Sequence, residues 1–284
     1  MGQLEGKVAI VTGATSGIGE RIAEMFVSEG ARVVAAGRRN DEGKALESRC
    51  GAALSFKRTD VSAEADVKAM VDHALARFGR LDCLVNNAGV GAPMVSITEV
   101  TAEQFDTIFS VNVRGVMFGI KHAAPIMLRQ GSGSIITIAS AAGFRGGTAG
   151  HVYSACKAAA IHLSRSAASE LAAGGVRVNS ISPGGIVTGI FAKSAGLQGS
   201  DADRVLGVVA DRFATLQPIP RAGVTSDIAQ AAVFLASDAA SFITGQDLAV
   251  DGGVVPFGKF GWEESIELRA ELSRLVKAEI AKGR

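Results

Sequence analysis

Cysteine is scarce in this chain. Cys50, Cys83 and Cys156 form no Cys-x-x-Cys or Cys/His spacing of the kind that holds a metal or a redox pair, and an odd count of scattered thiols is no disulfide framework. A reducing, cytoplasmic setting and a site without metal are therefore expected. Net charge is lacking as well: 29 basic and 28 acidic residues nearly cancel, and no long run of like charge occurs. That excludes an electrostatic track for nucleic acid or for an anionic membrane surface. Long hydrophobic runs are missing too. The first apolar stretch, Lys7-Val8-Ala9-Ile10-Val11, follows no basic segment and is interrupted by glycine, so neither a secretory signal nor a membrane span is expected there. No internal repeat, low-complexity tract or Pro-rich linker divides the chain.

What is present is core-forming material. Hydrophobic residues make up 48% and charged residues 20% of the 284 positions, the balance of a globular protein. Short runs rich in Val, Ile and Leu, at 7–12, 32–36, 53–58, 82–86, 134–139, 176–181 and 247–250, alternate with longer amphipathic stretches. Strands as apolar as Val33-Val34-Ala35-Ala36 and Ile135-Ile136-Thr137-Ile138-Ala139 are buried on both faces, which requires a mostly parallel sheet covered by crossover helices. The predicted architecture is a single doubly wound α/β domain over residues 1–253, with seven strands and helices on both faces. Gly189 to Pro220, broken by Gly196, Gly199 and Pro218, is a candidate lid. Residues 254–284 form a C-terminal helical extension. There Glu263 to Lys282 carries Leu268, Leu272, Leu275 and Ile280 along one face, to dock on this core or on a neighbouring subunit.

Directly after the first strand stand Thr12-Gly13-Ala14-Thr15-Ser16-Gly17-Ile18-Gly19, followed by a helical pattern. Gly13 and Gly17 can take backbone angles closed to other residues, and missing side chains at Gly17 and Gly19 would let a pyrophosphate approach the amides of the helix N-terminus. A dinucleotide is the natural ligand of such a turn. The spacing G-x-x-x-G-x-G resembles that of the short-chain dehydrogenase/reductase family, whose fold is a Rossmann-type sheet. At the end of the second strand, Ala35-Ala36-Gly37-Arg38-Arg39 offers no carboxylate for the ribose hydroxyls. Gly37 removes the group that would repel a 2′-phosphate and Arg38 offers a charge-assisted fork for one, so NADP(H) is the expected cofactor, with NAD(H) as the alternative.

Oxidation of a secondary alcohol needs a base for the hydroxyl proton beside a fixed nicotinamide. Tyr153 and Lys157 are four residues apart and so share a helix face, and Tyr153 is the only tyrosine in the chain. A lysine cation together with oxidised nicotinamide would favour tyrosinate and lower the phenol's pKa. This pair matches the family's Y-x-x-x-K. Thirteen residues earlier, Ser140 follows a buried strand at its carboxyl end. It resembles the family's catalytic serine, which hydrogen-bonds the substrate oxygen; Ser132 and Ser134, at the strand's other end, are poorer candidates.

The remaining matches rest on the resemblance alone. Asn112 corresponds to a fourth catalytic member that kinks its helix and holds a water of a proton relay. Asp60 and Val61 correspond to adenine contacts. Asn87, Ala88 and Gly89 belong to an N-N-A-G stretch that begins at Asn86, which could serve only to pin a strand. Pro183, Gly184, Ile186 and Thr188 belong to the turn that meets the nicotinamide and phosphates. The resemblance runs from residue 7 to Asp251-Gly252-Gly253 and implies reversible hydride transfer between nicotinamide and a small-molecule alcohol or ketone, in a homo-oligomer, dimer or tetramer. Phe144, Phe191 and Phe213 lie in segments that border the family's pocket and suggest an apolar substrate. His151 reads equally as a substrate contact or as a residue of the approach to the helix. The competing readings are a catalytically silent dinucleotide-binding regulator or scaffold of the same fold, and an epimerase or dehydratase of the longer sugar-nucleotide branch.

Overall fold

The computed structural model describes residues 2–189, 200–257 and 262–282. Seven strands form one sheet: β1 (Val8–Thr12), β2 (Arg32–Gly37), β3 (Leu54–Arg58), β4 (Cys83–Asn86), β5 (Gly133–Ile138), β6 (Val176–Pro183) and β7 (Asp247–Val250). They lie in the order β3-β2-β1-β4-β5-β6-β7, and every neighbouring pair is parallel. The strand segments expected from the sequence fall on these seven, with ends displaced by a residue or two.

Alternation along β1 explains the layers. Val8 and Ile10 face one side, where they pack with Met70 and Ala74 of α3 (Glu64–Phe78) and Met127 of α5 (Gly115–Gln130). Ala9 and Val11 face the other, where Ile22 and Phe26 of α1 (Gly17–Ser28) and Ile228 and Val233 of α8 (Thr225–Ala236) cover them. Both faces are thus dry. The other main helices are α2 (Asn40–Cys50), α4 (Ala102–Phe109) and α6 (His151–Leu171). At Gly119 any side chain would collide with the Asn86 amide, so α5 comes closest to β4 where its sequence has no Cβ.

From β1 the chain winds outward to β2 and β3, then returns to place β4 on the other side of β1. The two crossovers diverge at the carboxyl ends of β1 and β4, which opens a crevice there. The glycine turn after β1, Asn87–Gly89 after β4, Ser140 after β5 and Gly184–Thr188 after β6 all follow strand carboxyl ends on that edge.

The C-terminal part adds α7 (Ser200–Ala214), a short α9 (Val254–Phe257) and α10 (Trp262–Lys282). Val209, Phe213 and Leu272 form a separate buried cluster with Val187, Leu216, Ala222 and Leu268 around it. Arg212 Nε meets Glu271 Oε2 at 2.8 Å beside it. The extension therefore docks on its own chain, through Leu268 and Leu272. Its expected stripe stops there, because Leu275 is exposed, and the side chain of Ile280 lies outside the described residues, as does Phe191. Among the described residues, no helix is long and apolar enough to cross a membrane.

Candidate active site

The edge of the crevice is stitched by Thr12, which the motif reading passed over. Its hydroxyl accepts the backbone N–H groups of Asn87 and Ala88 at 2.9 and 3.0 Å and lies 3.2 Å from the Val85 carbonyl, to which it donates. Asn87 Nδ2 donates to the Thr12 carbonyl at 2.8 Å. The only sequence signal was a hydroxyl residue closing an otherwise aliphatic strand. Asn87 and Ala88 thus brace the glycine turn from the β4 side.

Gly13 and Gly17 have φ of 66° and 61°, the left-handed region. Ser16 precedes α1 in extended backbone and makes no side-chain cap, so no side chain occupies the first N–H groups of that helix. A Cβ on Gly17 would meet only the Thr188 side chain, at 3.7 Å, and the turn is open there. Gly19 adds to the expectation. A side chain there would collide with the Asn87 amide and the Gly13 carbonyl, so its bareness serves helix-to-strand packing as well. Ile18 packs partly on the core and Thr15 is buried.

At the end of β2, Gly37 leaves room for the Thr15 methyl, which a Cβ would press at 2.9 Å. Arg38 is exposed, as the sequence reading requires, and Arg39 is half-buried. The Arg39 guanidinium donates to the Thr15 carbonyl at 2.8 Å and hydroxyl at 2.9 Å, and Nη1 pairs with Glu42 at 3.1 Å. This second arginine, braced against the glycine turn, was not singled out from the sequence. Asp60 lies near Arg38. Its carboxyl is held below the ordinary value chiefly by the Ser62 hydroxyl, 2.7 Å away, with Arg38 and Arg58 adding to the effect. Val61 is buried and lies against Gly115.

Three elements meet past β5. Ser140 opens a 3-10 turn, Ala141–Gly143, and its Oγ accepts the Ala142 N–H at 3.2 Å. α6 brings Tyr153 near enough to Ser140 for the serine hydroxyl to oppose the rise in the phenol's pKa. One turn further, Lys157 is buried, and its Nζ donates to the Ile138 carbonyl at 2.8 Å while lying 5.5 Å from the centre of the Tyr153 ring. Asn112 completes the group. The helix kink expected there is a π-helical turn, Ser110–Arg114, between α4 and α5. Asn112 Nδ2 donates to the Val90 and Ile108 carbonyls, both at 3.0 Å, and Oδ1 accepts the Val90 N–H at 3.3 Å. A Cβ on Gly89 would stand 2.8 Å from Asn112 Oδ1 and 3.6 Å from Lys157 Nζ, so Gly89 is the gap that lets these side chains gather.

The loop after β6 closes the far wall. Gly223 N–H bonds to the Gly185 carbonyl at 3.0 Å, and Val187 N–H bonds to the Gly223 carbonyl at 2.9 Å. The Ile186 amide stays outside that pairing. Pro183 pairs with Val250, and Gly184 sits where a Cβ would press on Asp251. Phe213 is buried beneath Gly185, whereas Phe144 is exposed and His151 is the first residue of α6. Ser134 is structural: its hydroxyl donates to the Leu235 carbonyl at 2.9 Å.

Burial sets the electrostatics. It pulls the Lys157 amine down to about 8 and pushes the Cys156 thiol up to about 12, which leaves that thiol protonated and unreactive. Burial also raises the Tyr153 phenol, against the opposing effects of Ser140 and of the Arg269 charge. The expected acidification of Tyr153 is therefore not a property of the chain alone. The low-dielectric surroundings favour the neutral phenol, and the Lys157 amine, drawn onto a carbonyl, does not outweigh them.

Residues 13–255 match the family model described as enoyl-(acyl carrier protein) reductase. Momilactone A synthase of Oryza sativa subsp. japonica is 42% identical over 256 residues, which cover 89% of this chain and 91% of that protein. (+)-Borneol dehydrogenase 2 of Salvia officinalis is 41% identical over 257 residues, covering 88% and 90%. Among solved structures, 3-ketoacyl-(acyl-carrier-protein) reductase from Brucella melitensis complexed with NADH matches with a TM-score of 0.80 at 36% identity, covering 89% of this chain and 99% of that one.

The depressed Lys157 pKa has a consequence for stability. The unfolded chain carries this proton up to the ordinary value of 10.5, the folded chain only to about 8. The unfolded state thus binds more protons between those limits: the penalty on the fold is full below pH 8 and is relieved as pH rises to 10.5. Lys157→Met removes it. Relative to wild type, that variant should melt a few degrees higher at pH 7 than it does at pH 10.5, by a difference of about 3 kcal/mol. Equal offsets in melting scans at the two pH values would contradict the buried amine.

Proposed function

The chain belongs to the short-chain dehydrogenase/reductase family, and from that premise we propose that it is an NAD(P)-dependent oxidoreductase interconverting a secondary alcohol and a ketone. The observation that carries this reading is the meeting of Ser140, Tyr153 and Lys157 at the carboxyl end of β5, beside the crevice bounded by Gly17 and Thr188. When bound, the nicotinamide dinucleotide supplies or accepts the hydride.

The residues present fit that cofactor. The uncapped start of α1 and the open space at Gly17 suit a pyrophosphate, and the free Ile186 amide and the Thr188 hydroxyl suit the nicotinamide end. Asp60 and Val61, just past β3, suit the adenine end, and Ala88 and Gly89, just past β4, suit the middle of the dinucleotide. With a glycine where NAD-specific proteins carry a carboxylate, and with Arg38 exposed beside it, NADP(H) is the preferred cofactor and NAD(H) the alternative. NADH is the cofactor named for the Brucella structure.

In the reductive direction Ser140 holds the ketone oxygen and Tyr153 gives it a proton; in the oxidative direction Tyr153 takes the proton back. Lys157 supplies positive charge behind the phenol. Both Asn112 Nδ2 protons are engaged by the Val90 and Ile108 carbonyls, so its part in a proton relay falls to an acceptor, its Oδ1 or a backbone carbonyl of the π turn. A largely apolar alcohol fits both the alicyclic alcohol in the name of the borneol relative and the apolar wall around Val187 and Phe213. Exposed Phe234, Phe242 and Leu248 around the edge strand β7 support self-association into a dimer or tetramer.

Two assays test these statements. Tyr153→Phe should lower kcat by about 100- to 10,000-fold against a panel of cyclic and aromatic alcohols and ketones while the cofactor still binds. Tight cofactor binding with no turnover in wild type would favour the silent regulator. For the cofactor, kcat/KM should be higher with NADPH than with NADH, and Arg38→Asp should shift that ratio toward NADH by at least about tenfold. An unchanged ratio would remove Arg38 from the account.

A further inference from the structure

The end of β2 and the turn after β1 share a joint that decides what position 37 can carry. A backbone hydrogen bond from the Ala14 N–H to the Ala36 carbonyl, 3.1 Å long, ties the two segments and brings Thr15 against Gly37. Gly37 is buried, and it is not among the glycines held at positive φ. Its backbone is therefore open to any residue, and only space excludes a side chain there. Thr15 takes that space. A Cβ at position 37 would stand 2.9 Å from the Thr15 methyl and 3.2 Å from its hydroxyl oxygen, but 3.6 Å from its Cβ, which is an ordinary contact.

A threonine can usually yield by turning about χ1, but this one is held. Thr15 is buried, and the Arg39 guanidinium grips it at two atoms. Nη2 donates to the Thr15 carbonyl at 2.8 Å and to its hydroxyl at 2.9 Å, and Nε donates to the hydroxyl at 3.2 Å. Glu42, 3.1 Å from Nη1, steadies the arginine in turn. Turning Thr15 would give up the charge-assisted bonds to its hydroxyl, and while the hydroxyl stays in place the methyl does too. Arg39 is thus engaged by the glycine turn, which leaves exposed Arg38 as the cation for a 2′-phosphate.

We propose that Thr15, locked by Arg39, is a specificity-determining residue for the cofactor: its methyl fills the volume that a side chain at position 37 needs and so bars a ribose-chelating carboxylate from that place. This rests on the dinucleotide reading above. The preference for NADP(H) then belongs to residues 15 and 37 as a pair, and Gly37→Asp alone displaces the glycine turn without gaining NADH.

The test is a double-mutant cycle on cofactor binding, with dissociation constants for NADH and NADPH measured by titration calorimetry on wild type, Gly37→Asp, Thr15→Ala and the double variant. Gly37→Asp should weaken both cofactors. The double variant should bind NADH at least about tenfold more tightly than Gly37→Asp does and prefer it to NADPH, although Thr15→Ala alone gains nothing for NADH. Melting of the cofactor-free proteins supplies a second cycle that needs no new charge: Gly37→Ala should lower Tm in the wild-type background, and most of that loss should vanish in the Thr15→Ala background. Independent effects in either cycle overturn the lock, as does a Gly37→Asp variant that binds NADH as tightly as the double variant. In those cases the oxidoreductase reading stands. A wild type that binds neither dinucleotide overturns that reading and this one with it.

Discussion

The Lys157 amine sits almost wholly out of water against the Ile138 carbonyl, 2.8 Å away, and much of the surrounding structure exists to permit that contact. Desolvating an ammonium is costly, and here its cation is disfavoured far enough to bring the pKa to about 8. The contact ties α6 to β5 at the height of the crevice and thereby fixes Tyr153 one helical turn back, in reach of Ser140. It also demands empty space on the other side. Gly89 supplies it, and the π turn brings Asn112 into the remaining corner, where its amide is occupied by backbone groups of Val90 and Ile108.

A second constraint lies at the point where the chain reverses direction across the sheet. Because the connections leaving β1 and β4 diverge there, their ends need a fastening that is not part of the ladder, and Thr12 and Asn87 provide it. With that edge held, Gly17 is left open toward Thr188, and α1 begins with amides that no side chain covers. The anion-binding and proton-moving halves of the proposed site thus face each other across a rigid rim.

The sequence made the framework legible because the relevant signals are local. Aliphatic runs marked all seven strands, the glycine spacing marked the turn after β1, and a lone tyrosine four residues from a lysine marked α6. What escaped depends on contacts between distant segments. Nothing near Thr12 in sequence announces Asn87 as its partner, and the close approach of Asn87 adds a packing role for Gly19 that spacing alone does not show. Arg39 looked like the redundant neighbour of Arg38 until its fork was seen on Thr15. The direction of the Tyr153 shift could not be read from the presence of a lysine, because it depends on how much water the fold removes.

Isotope transfer within a single turnover addresses the proposed chemistry most directly. Reduced cofactor carrying deuterium at the transferable C4 position of the nicotinamide would be mixed in excess enzyme with a ketone substrate, and the product alcohol analysed by mass. Deuterium should appear on the carbinol carbon, on one face only, with wild type and be almost absent with Tyr153→Phe. A ternary complex that forms but yields no labelled alcohol, or a Tyr153→Phe variant that transfers the label at the wild-type rate, would contradict a site in which Tyr153, set by Ser140 and Lys157, moves the proton that accompanies the hydride.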